Sequence, residues 1–407
     1  MAPVSLAWHR SPTTPVAVLL AVAPGLAVAQ FRAMALAVTV ALLLTVVTHR
    51  RVRGAWPWPR PGMEMERVGW LAVALLGWCA VAALWSPEPG RAVQTIGGLA
   101  ALLGLALMAA RALAEEAAPR RLALALAGGL AVGLALAAVD HASGNWLRLA
   151  VRGFPDMPAI SFGLKPAMSL MMLLLPLVLA VPMAWALRGV LVAAGLAVVL
   201  WLPADSAKIA ALAGLAAGGL AMLLPRAAPR LAALGFAAFS VAGPLVFTFG
   251  LAQAPSLEPL PRSAAHRVLI WDFVVDRIAE KPLLGWGMEA SRAIPGGSEN
   301  FPRADLDRYG LTSPEARAWF SAPAARRLPL HTHNAALQIW LELGLVGALL
   351  GAALGAAALL AAGASPAGFG MAVSAVVTWQ LSFGVWQPWW VASVLLAAVV
   401  AWMLRKS

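Results

Sequence analysis

The sequence predicts an all-α polytopic membrane protein, with about twelve transmembrane helices and one long, partly helical loop between the ninth and the tenth. Hydrophobic residues make up 61% of the 407-residue chain and charged residues only 12%, whereas a soluble domain carries about a quarter of its residues as charged. Apolar runs long enough to cross a bilayer recur along the whole chain. Most of the surface is therefore expected to face lipid.

Twelve segments approach the roughly 20 mostly apolar residues that a membrane-spanning helix needs. They are residues 13–29, 32–48, 68–85, 93–113, 122–139, 159–185, 189–204, 206–224, 230–253, 334–362, 367–384 and 388–404. These segments divide the chain into residues 1–254 with spans one to nine, a loop over residues 255–332, and residues 333–407 with spans ten to twelve. The predicted chemistry lies in and beside that loop.

The charge distribution predicts the orientation in the membrane. The net charge of +12 comes from 30 Lys and Arg against 18 Asp and Glu, and the basic residues form short clusters between apolar runs. Such clusters are typical of cytoplasmic loops and argue against a nucleic-acid partner. With the N-terminus inside, fourteen basic residues lie on the cytoplasmic side and six in the short loops opposite. Both termini are therefore predicted to be cytoplasmic and the long loop periplasmic.

The single cysteine, Cys79, lies within an apolar run. It excludes an intramolecular disulfide and a cysteine-based metal site. No other cluster of metal ligands is visible beyond two neighbouring histidines, so we predict neither a metal nor a cofactor.

The loop over residues 255–332 is 78 residues long, and loops of that length are usually functional or disordered. Residues 265–280 have the pattern of an amphipathic helix that Pro282 ends, and residues 315–320 follow a helix start signal. The predicted apolar side of the first helix carries Val268, Trp271, Val275 and Ile278. The loop is expected to fold back over the membrane face as a lid on a cavity among the helices.

The last residues of the loop, His331, Thr332, His333 and Asn334, lead directly into the tenth span. Two imidazoles and an amide are therefore expected where a rigid helix meets water. Within that span, Gln338 and Glu342 are four residues apart and share one helical face.

Two motifs carry a resemblance to a known family. The pair His333-Asn334, followed after nine residues by Gly344-Leu345-Val346-Gly347, resembles the histidine motif of the bacterial O-antigen ligase and polymerase superfamily. The stretch from Arg267 to Trp271, with Ile278, Pro282, Gly285 and Gly287 after it, is similar to the arginine motif of the same superfamily. Twelve spans with the large loop between the ninth and tenth also resemble the ligase.

The resemblance implies a lipid A-core:surface polymer ligase of the bacterial inner membrane. Such ligases transfer a polysaccharide from an undecaprenyl-diphosphate carrier to lipid A-core oligosaccharide at the periplasmic face, without a metal. It implies that His333 and Arg267 are catalytic, the first assisting the acceptor hydroxyl and the second contacting the leaving diphosphate. Imidazole suits proton transfer because its pKa lies near operating pH, and guanidinium suits phosphate because it donates pairs of hydrogen bonds. Direct displacement would invert the anomeric centre.

Other candidate residues for binding the diphosphate or the acceptor are Lys208, Lys165, Arg152, His331, Asn334 and Trp271. The family often has a Ser-Arg pair at the outer end of the eighth span, where this chain has Ser206-Ala207-Lys208. Pairing with Asp205 would weaken the case for Lys208, and pairing with Asp156 that for Arg152. For the three cations, snorkelling to the interface is an equal alternative. His331 is either an orienting partner or a solvated neighbour.

Two further expectations concern proline and tryptophan. Pro166 is expected to break the sixth span and direct free amides beside Lys165 toward a cavity. The tryptophan-rich stretch over residues 379–390 is typical of an interfacial aromatic belt, with a platform for sugar stacking as the alternative. 

Rival functions within the superfamily are O-antigen polymerase and protein O-oligosaccharyltransferase, and a rival from another class is a transporter or flippase of lipid-linked glycan. A transporter is expected to carry ionisable residues near the middle of the membrane. Here the charges gather at one rim, under one large loop.

Overall fold

A computed structural model describes residues 11–59, 66–114, 116, 119–153 and 163–405. Over these residues the fold is all-α, and the only strand-like pairing among them is an isolated bridge between Asn300 and Arg326. The helices are α1 Thr14–Gln30, α2 Met34–Arg53, α3 Glu66–Ala82, α4 Pro89–Ala114, α5 Pro119–Ala142, α6 Trp146–Arg152, α7 Leu164–Leu174, α8 Trp185–Trp201, α9 Asp205–Leu223, α10 Ala227–Ala252, α11 Arg262–Glu280, α12 Arg303–Arg308, α13 Pro314–Ser321, α14 Ala335–Ala362, α15 Pro366–Leu381 and α16 Pro388–Leu404.

The twelve predicted spans correspond in order to twelve apolar helices, which are α1 to α5, α7 to α10, and α14 to α16. Among the residues that the structure describes, seven apolar helical segments are long enough to cross a membrane, and the longest, Thr14–Arg53, contains both α1 and α2. The two helices are separated at Gln30, whose backbone leaves the helical region. The prediction of an all-α polytopic membrane fold is confirmed, and the chain is a multi-pass membrane protein.

The sixth span differs from its prediction. Its described part begins with α7 at Leu164 and continues as a 3₁₀ helix over Leu175–Ala180. Pro166 lies in the first turn of α7, where the missing N–H removes no helical hydrogen bond. The expectation that Pro166 breaks the span is therefore wrong. Apart from Lys165, every residue of α7 is buried, which places this short helix inside the bundle.

Small residues bring the helices close together. A Cβ added to Gly214 of α9 would lie 2.8 Å from the carbonyl oxygen of Gly370 in α15, so the two backbones are in direct contact. Ser374 fastens the same junction, because its hydroxyl lies 3.1 Å from the carbonyl oxygens of both Met172 and Ala210. Close approach at small residues is how membrane helices gain packing without a hydrophobic drive between them.

The long loop is ordered and packs on α10 and α14. The two predicted loop helices are confirmed as α11 and α13, and the Ser313 side chain caps α13 by accepting from the Ala316 N–H at 3.1 Å. Helix α12 was not predicted. The buried face of α11 is centred on Leu269 and Phe273 rather than on the predicted valines. These side chains share a core with Leu341 of α14, which fixes the loop over the end of the bundle.

Candidate active site

The segment from His331 to Asn334 joins the loop to α14 through a tight local network. Asn334 is the N-cap of α14, and its Oδ1 accepts a hydrogen bond from the Leu337 N–H at 3.0 Å. The Thr332 hydroxyl donates to the Asn334 carbonyl oxygen at 2.5 Å. His333 between them has a φ of 54°, a left-handed conformation that is uncommon for a residue with a side chain. The network therefore holds the His333 backbone in one conformation.

The His333 ring is oriented by the end of another helix. Its Nδ1 lies 2.7 Å from the carbonyl oxygen of Ser382, the residue that caps the C-terminus of α15. Carbonyls at a helix end have no partner within the helix, so Ser382 is available as an acceptor. Because a carbonyl oxygen only accepts, Nδ1 carries the proton and Nε2 keeps its lone pair. Burial lowers the pKa of His333 well below the ordinary value, so the neutral ring predominates.

His331 lies against His333, with the ring centroids 4.3 Å apart. Its Nδ1 accepts from the His333 backbone N–H at 3.2 Å, so its Nε2 carries the ring proton. Burial, followed by the nearby charge of Lys165, lowers the pKa of His331 to about 3. The site therefore contains two neutral imidazoles, one with a free acceptor nitrogen and one with a free donor.

Three cations act electrostatically on this pair, because Lys165 and Arg267 act on both histidines and Arg292 acts on His331. Arg292 pairs with Glu289 at 3.4 Å. That leaves Lys165 and Arg267, and the Lys165 ammonium lies 5.6 Å from the centre of the Phe383 ring. Within the described part of the chain, neither cation has an ion-pair partner closer than 4.0 Å, and Asp205 is the acidic residue that acts on both. Unpaired, half-buried cations next to a neutral base are suited to an anionic group.

The other two predicted cations are engaged elsewhere. The Lys208 ammonium forms a 2.9 Å ion pair with Asp205, as the sequence suggested it could. Arg152 donates to the carbonyl oxygens of Ala29 at 2.9 Å and Val28 at 3.4 Å, at the end of α1. Asp156, its suggested partner, lies outside the described residues. The structure therefore brings together six of the eight predicted residues, with Lys208 at their edge and Arg152 apart: His331, His333, Asn334, Trp271, Lys165 and Arg267.

Trp271 links the arginine motif to the histidines. Its indole N–H donates to the Thr332 carbonyl oxygen at 3.0 Å. Since Arg267 is one helical turn before Trp271 in α11, this bond fixes the arginine relative to the histidine segment.

A buried carboxylate that the sequence marked only by spacing organises the opposite side of the site. Glu342 is fully buried and accepts from the Gln338 amide at 3.0 Å, the Trp386 indole at 2.7 Å, the Glu289 N–H at 2.9 Å and the Ser291 hydroxyl. These donors come from α14, the loop and the turn before α16. The four-residue spacing of Gln338 and Glu342 was the available signal, whereas nothing local predicted the contacts with the loop.

Residues 167–352 match the sequence model of the family described as O-Antigen ligase. Relatives from Rickettsia conorii and Rickettsia felis, whose names describe them provisionally as polysaccharide ligases, are 28% and 27% identical over 223 residues. A similar protein of Rickettsia typhi is 27% identical over 224 residues. Each alignment covers 51% of this chain. The region over residues 167–352 is therefore similar to the O-antigen ligase family.

The matches cover only part of this chain and only part of each relative. The chain spans about half the length of the curated relatives it matches, since 50% of the Rickettsia conorii protein and 51% of the Rickettsia typhi protein are covered. The family match contains Arg267, Lys208 and the whole histidine segment, whereas Lys165 and Arg152 precede it. The similarity to the O-antigen ligase family therefore lies in the region that holds the histidines.

A cavity of about 550 Å³, here called the lateral cavity, adjoins the histidine pair. It lies between the starts of α2 and α4, the loop around Glu289 and the turn before α16, and His331 and Gln338 form part of its wall. Sequence reasoning did not identify it, because its walls come from five separate parts of the chain.

The tryptophans just before α16 and in its first turn form part of the same region. Trp386, Trp389 and Trp390 are buried, so the prediction of an interfacial belt is wrong for these three residues. Trp389 and Trp390 pack against Phe383 with ring centroids 4.7 and 5.5 Å away. Trp386 lines the lateral cavity and reaches Glu342.

Proposed function

We propose that the protein is an O-antigen ligase that transfers a polysaccharide from undecaprenyl diphosphate to lipid A-core oligosaccharide, without a metal and with inversion. The observation that carries the proposal is a neutral imidazole, His333, with a free Nε2 beside two cations that have no ion-pair partner among the described residues. Glycosyl transfer from a lipid diphosphate needs a proton acceptor for the incoming hydroxyl and positive charge for the leaving group.

Each group then has a role in one displacement step. The Nε2 of His333 accepts the proton of the acceptor hydroxyl as its oxygen forms a bond to the anomeric carbon. The bond between that carbon and the phosphate oxygen breaks, and the electron pair leaves with the undecaprenyl diphosphate. Arg267 and Lys165 stabilise the charge that develops on the diphosphate. Attack from the side opposite the leaving group inverts the configuration.

The remaining candidates stand outside the displacement step. Trp271 and Asn334 position the arginine and the histidine segment. Lys208 pairs with Asp205 and Arg152 bonds the end of α1, so neither adds unpaired positive charge beside the diphosphate. We propose that the division of the chain follows its function. The loop over residues 255–332, between nine spans and three, carries the arginine, and the histidines lie where this loop meets the tenth span.

The proposal includes a membrane and an orientation. We propose that the chain lies in the bacterial inner membrane with both termini in the cytoplasm, since basic residues concentrate in the loops on that side. The site then faces the periplasm, where exported glycan is present. A reporter enzyme that works only in the periplasm should be active when it is fused within the long loop. Activity of a reporter that works only in the cytoplasm would contradict the proposal.

The decisive experiment is complementation of a ligase-null strain. His333→Ala should abolish polysaccharide-capped lipopolysaccharide with unchanged protein level, because loss of a positioned base costs about 10² to 10⁴ in rate. His141→Ala is the matched control, since that histidine stacks on Trp201 at the end of α5, away from the site. Capping by His333→Ala at the wild-type level would remove this histidine from the mechanism.

Transfer with purified protein distinguishes the rival activities. Carrier-linked glycan and lipid A-core should yield a joined product, and a chelator should leave the rate unchanged. A polymerase would instead extend glycan on a second carrier lipid, and a protein O-oligosaccharyltransferase would modify only a polypeptide acceptor. A flippase would form no product at all.

A further inference from the structure

The lateral cavity has the chemistry of a sugar-binding site. The Glu289 carboxylate lies in its wall and is held by the Thr95 hydroxyl at 2.9 Å and by Arg292 Nε at 3.4 Å. The Gln387 and Trp386 side chains also line it, and Gln387 Oε1 is buried with no hydrogen-bond partner among the described groups. A buried acceptor without a donor is rare and indicates that a bound group supplies the donor. Sugar hydroxyls donate and accept, which suits this mixture of carboxylate, amide and guanidinium.

The charges of the lateral cavity separate it from the diphosphate cations. Arg292 faces Glu289, and Arg91 lies 4.0 Å from Glu88, so each arginine of the cavity wall has an acidic neighbour. Neither Lys165 nor Arg267 belongs to the wall. Because Glu289 offsets the charge of Arg292, this wall attracts a diphosphate less than two unpaired cations do, whereas an uncharged sugar hydroxyl can donate to the carboxylate. The cavity therefore fits the saccharide of the acceptor better than the leaving group of the donor.

The histidine pair forms the connection between the two regions. His331 lines the cavity, and His333 lies directly behind it at a centroid distance of 4.3 Å. With Nδ1 accepting from the backbone, His331 has a ring N–H available on Nε2. A saccharide in the cavity would thus contact His331 and lie next to the proposed base, while the diphosphate cations lie outside the cavity wall.

The apolar part of the cavity wall, here called the entrance, is formed by residues of the membrane helices α2 and α4. The α4 residues that line the cavity are spaced three and four apart and therefore share one face of the helix. This face extends from the polar first turn to Leu99 and Leu102. Leu36 of α2 lines it too, and that side chain is 70% exposed on the outer surface of the bundle. Gly98 leaves open space at the entrance, because a Cβ added there would meet nothing within 4 Å.

We propose that the lateral cavity is the acceptor subsite and that it takes the saccharide head of a membrane-anchored glycolipid, whose acyl chains lie against the apolar faces of α2 and α4. This inference rests on the proposed function and adds the acceptor's place and anchor to it. An amphiphile matches the site because its polar wall and apolar entrance are continuous. A soluble oligosaccharide would fill only the polar part.

Gly98→Leu tests the subsite, because the added side chain enters the open space of the entrance without a backbone clash. Its matched control is Gly97→Leu, one residue earlier on α4, where a Cβ also meets nothing within 4 Å but the residue does not line the cavity. Purified full-length protein in nanodiscs is titrated with two probes: rough lipopolysaccharide, which is lipid A with core oligosaccharide, and undecaprenyl diphosphate.

The expected result is that Gly98→Leu weakens rough lipopolysaccharide binding by about tenfold or more, as blocked apolar space does in binding pockets, with undecaprenyl diphosphate binding unchanged. Gly97→Leu should change neither. Delipidated core oligosaccharide should bind the wild-type protein more weakly than the intact glycolipid, which separates an anchored acceptor from a soluble one.

Three outcomes would overturn the inference. Unchanged rough lipopolysaccharide binding by Gly98→Leu removes the subsite, and lost undecaprenyl diphosphate binding instead would assign the cavity to the donor. Equal affinity for core oligosaccharide and intact glycolipid removes the membrane anchor. The proposed function fails separately, when wild-type protein binds both probes but transfers no glycan from a carrier-linked polymer to rough lipopolysaccharide, or when its His333→Ala variant transfers that glycan at the wild-type rate.

Discussion

The Nδ1 of His333 lies 2.7 Å from the carbonyl oxygen of Ser382, which joins the start of α14 to the end of α15 across 49 residues of sequence. This single bond sets the tautomer of the ring and directs its unprotonated Nε2 away from α15. Both partners lie at helix ends, where backbone groups are free to bond outside the helix. The proposed base is thus positioned by rigid elements rather than by the loop alone.

The pH dependence of transfer should reflect the lowered pKa of His333. The neutral ring is the active form, so activity is lost only when the pH falls through the pKa of the folded protein. Burial, then the neighbouring His331 and Lys165, lowers that pKa well below its ordinary value. We expect the transfer rate to stay constant as the pH falls through about 6.5, the usual histidine value, and to decline only in more acidic buffer.

Initial rates of glycan transfer in nanodiscs across a series of buffers check this expectation. Circular dichroism at each pH shows whether the fold is intact, so that loss of structure is not counted as loss of base. A rate that halves near pH 6.5 while the spectrum is unchanged would contradict a buried neutral His333.

The ion pair of Lys208 predicts a difference between the two candidate lysines. Lys165 has no ion-pair partner among the described residues, whereas Lys208 already bonds Asp205 at 2.9 Å. Lys165→Met should weaken undecaprenyl diphosphate binding by about tenfold or more, equivalent to about 1.4 kcal/mol, and Lys208→Met should weaken it less. Native mass spectrometry of the complexes measures both.

Lys281→Met serves as the control for loss of charge alone, because that lysine stacks on Trp286 with its ammonium 4.0 Å from the ring centre. A larger loss for Lys208→Met than for Lys165→Met would show that the exposed pair opens to receive the diphosphate. The order of the two effects is therefore the informative result.

The sequence was most informative where physical requirements are local. A membrane span needs only length and apolarity, so α1 and α10 could be located from composition, and Pro282 and Ser313 marked the limits of helices α11 and α13. The histidine segment could be located for the same reason, because it directly precedes a span.

The contacts that complete the site are not local. Glu289 meets Thr95 across 194 residues of sequence, and Trp386 meets Glu342 across 44. No periodicity reports such pairs, and the tryptophan therefore looked like an interfacial residue. Arg152 was misleading for the same reason, since its backbone acceptors on α1 carry no mark in the sequence.

The glycines of the two motifs make a strong prediction about stability. Gly344 interrupts α14 with φ 62° and ψ −161°, a region that is essentially confined to glycine. A Cβ there would lie 2.3 Å from the Leu283 carbonyl oxygen and 2.6 Å from the Gly285 nitrogen. Gly344→Ala should therefore lower the free energy of unfolding by at least about 1–3 kcal/mol, which is what such a conformation costs other residues. The Tm of the purified protein should fall with it.

Gly219→Ala is the matched control, because its position on α9 leaves a Cβ with nothing within 4 Å. Thermal unfolding in detergent, followed by tryptophan fluorescence, compares the two variants. Equal Tm values would mean that α14 can straighten and that the contact between the two glycine motifs is dispensable.

The Glu342 network predicts how the loop is fastened to the bundle. One carboxylate oxygen accepts from Gln338 and Ser291, and the other accepts from Glu289 and Trp386. Glu342→Gln keeps the shape but replaces one of these oxygens with an amide that cannot accept. Each buried donor left without a partner costs about 1–3 kcal/mol, so the Tm should fall and limited proteolysis should cut the loop near residue 289 faster.

Glu280→Gln is the control for removal of a carboxylate charge, since Glu280 is 45% exposed in its pair with Arg277 and such surface pairs contribute little. It should leave the Tm and the rate of cleavage unchanged. If the protease cuts Glu342→Gln no faster than Glu280→Gln, the hydrophobic contacts between α11 and α14 hold the loop in place without the carboxylate. Glu342 would then serve only to orient Gln338 and Trp386 in the cavity wall.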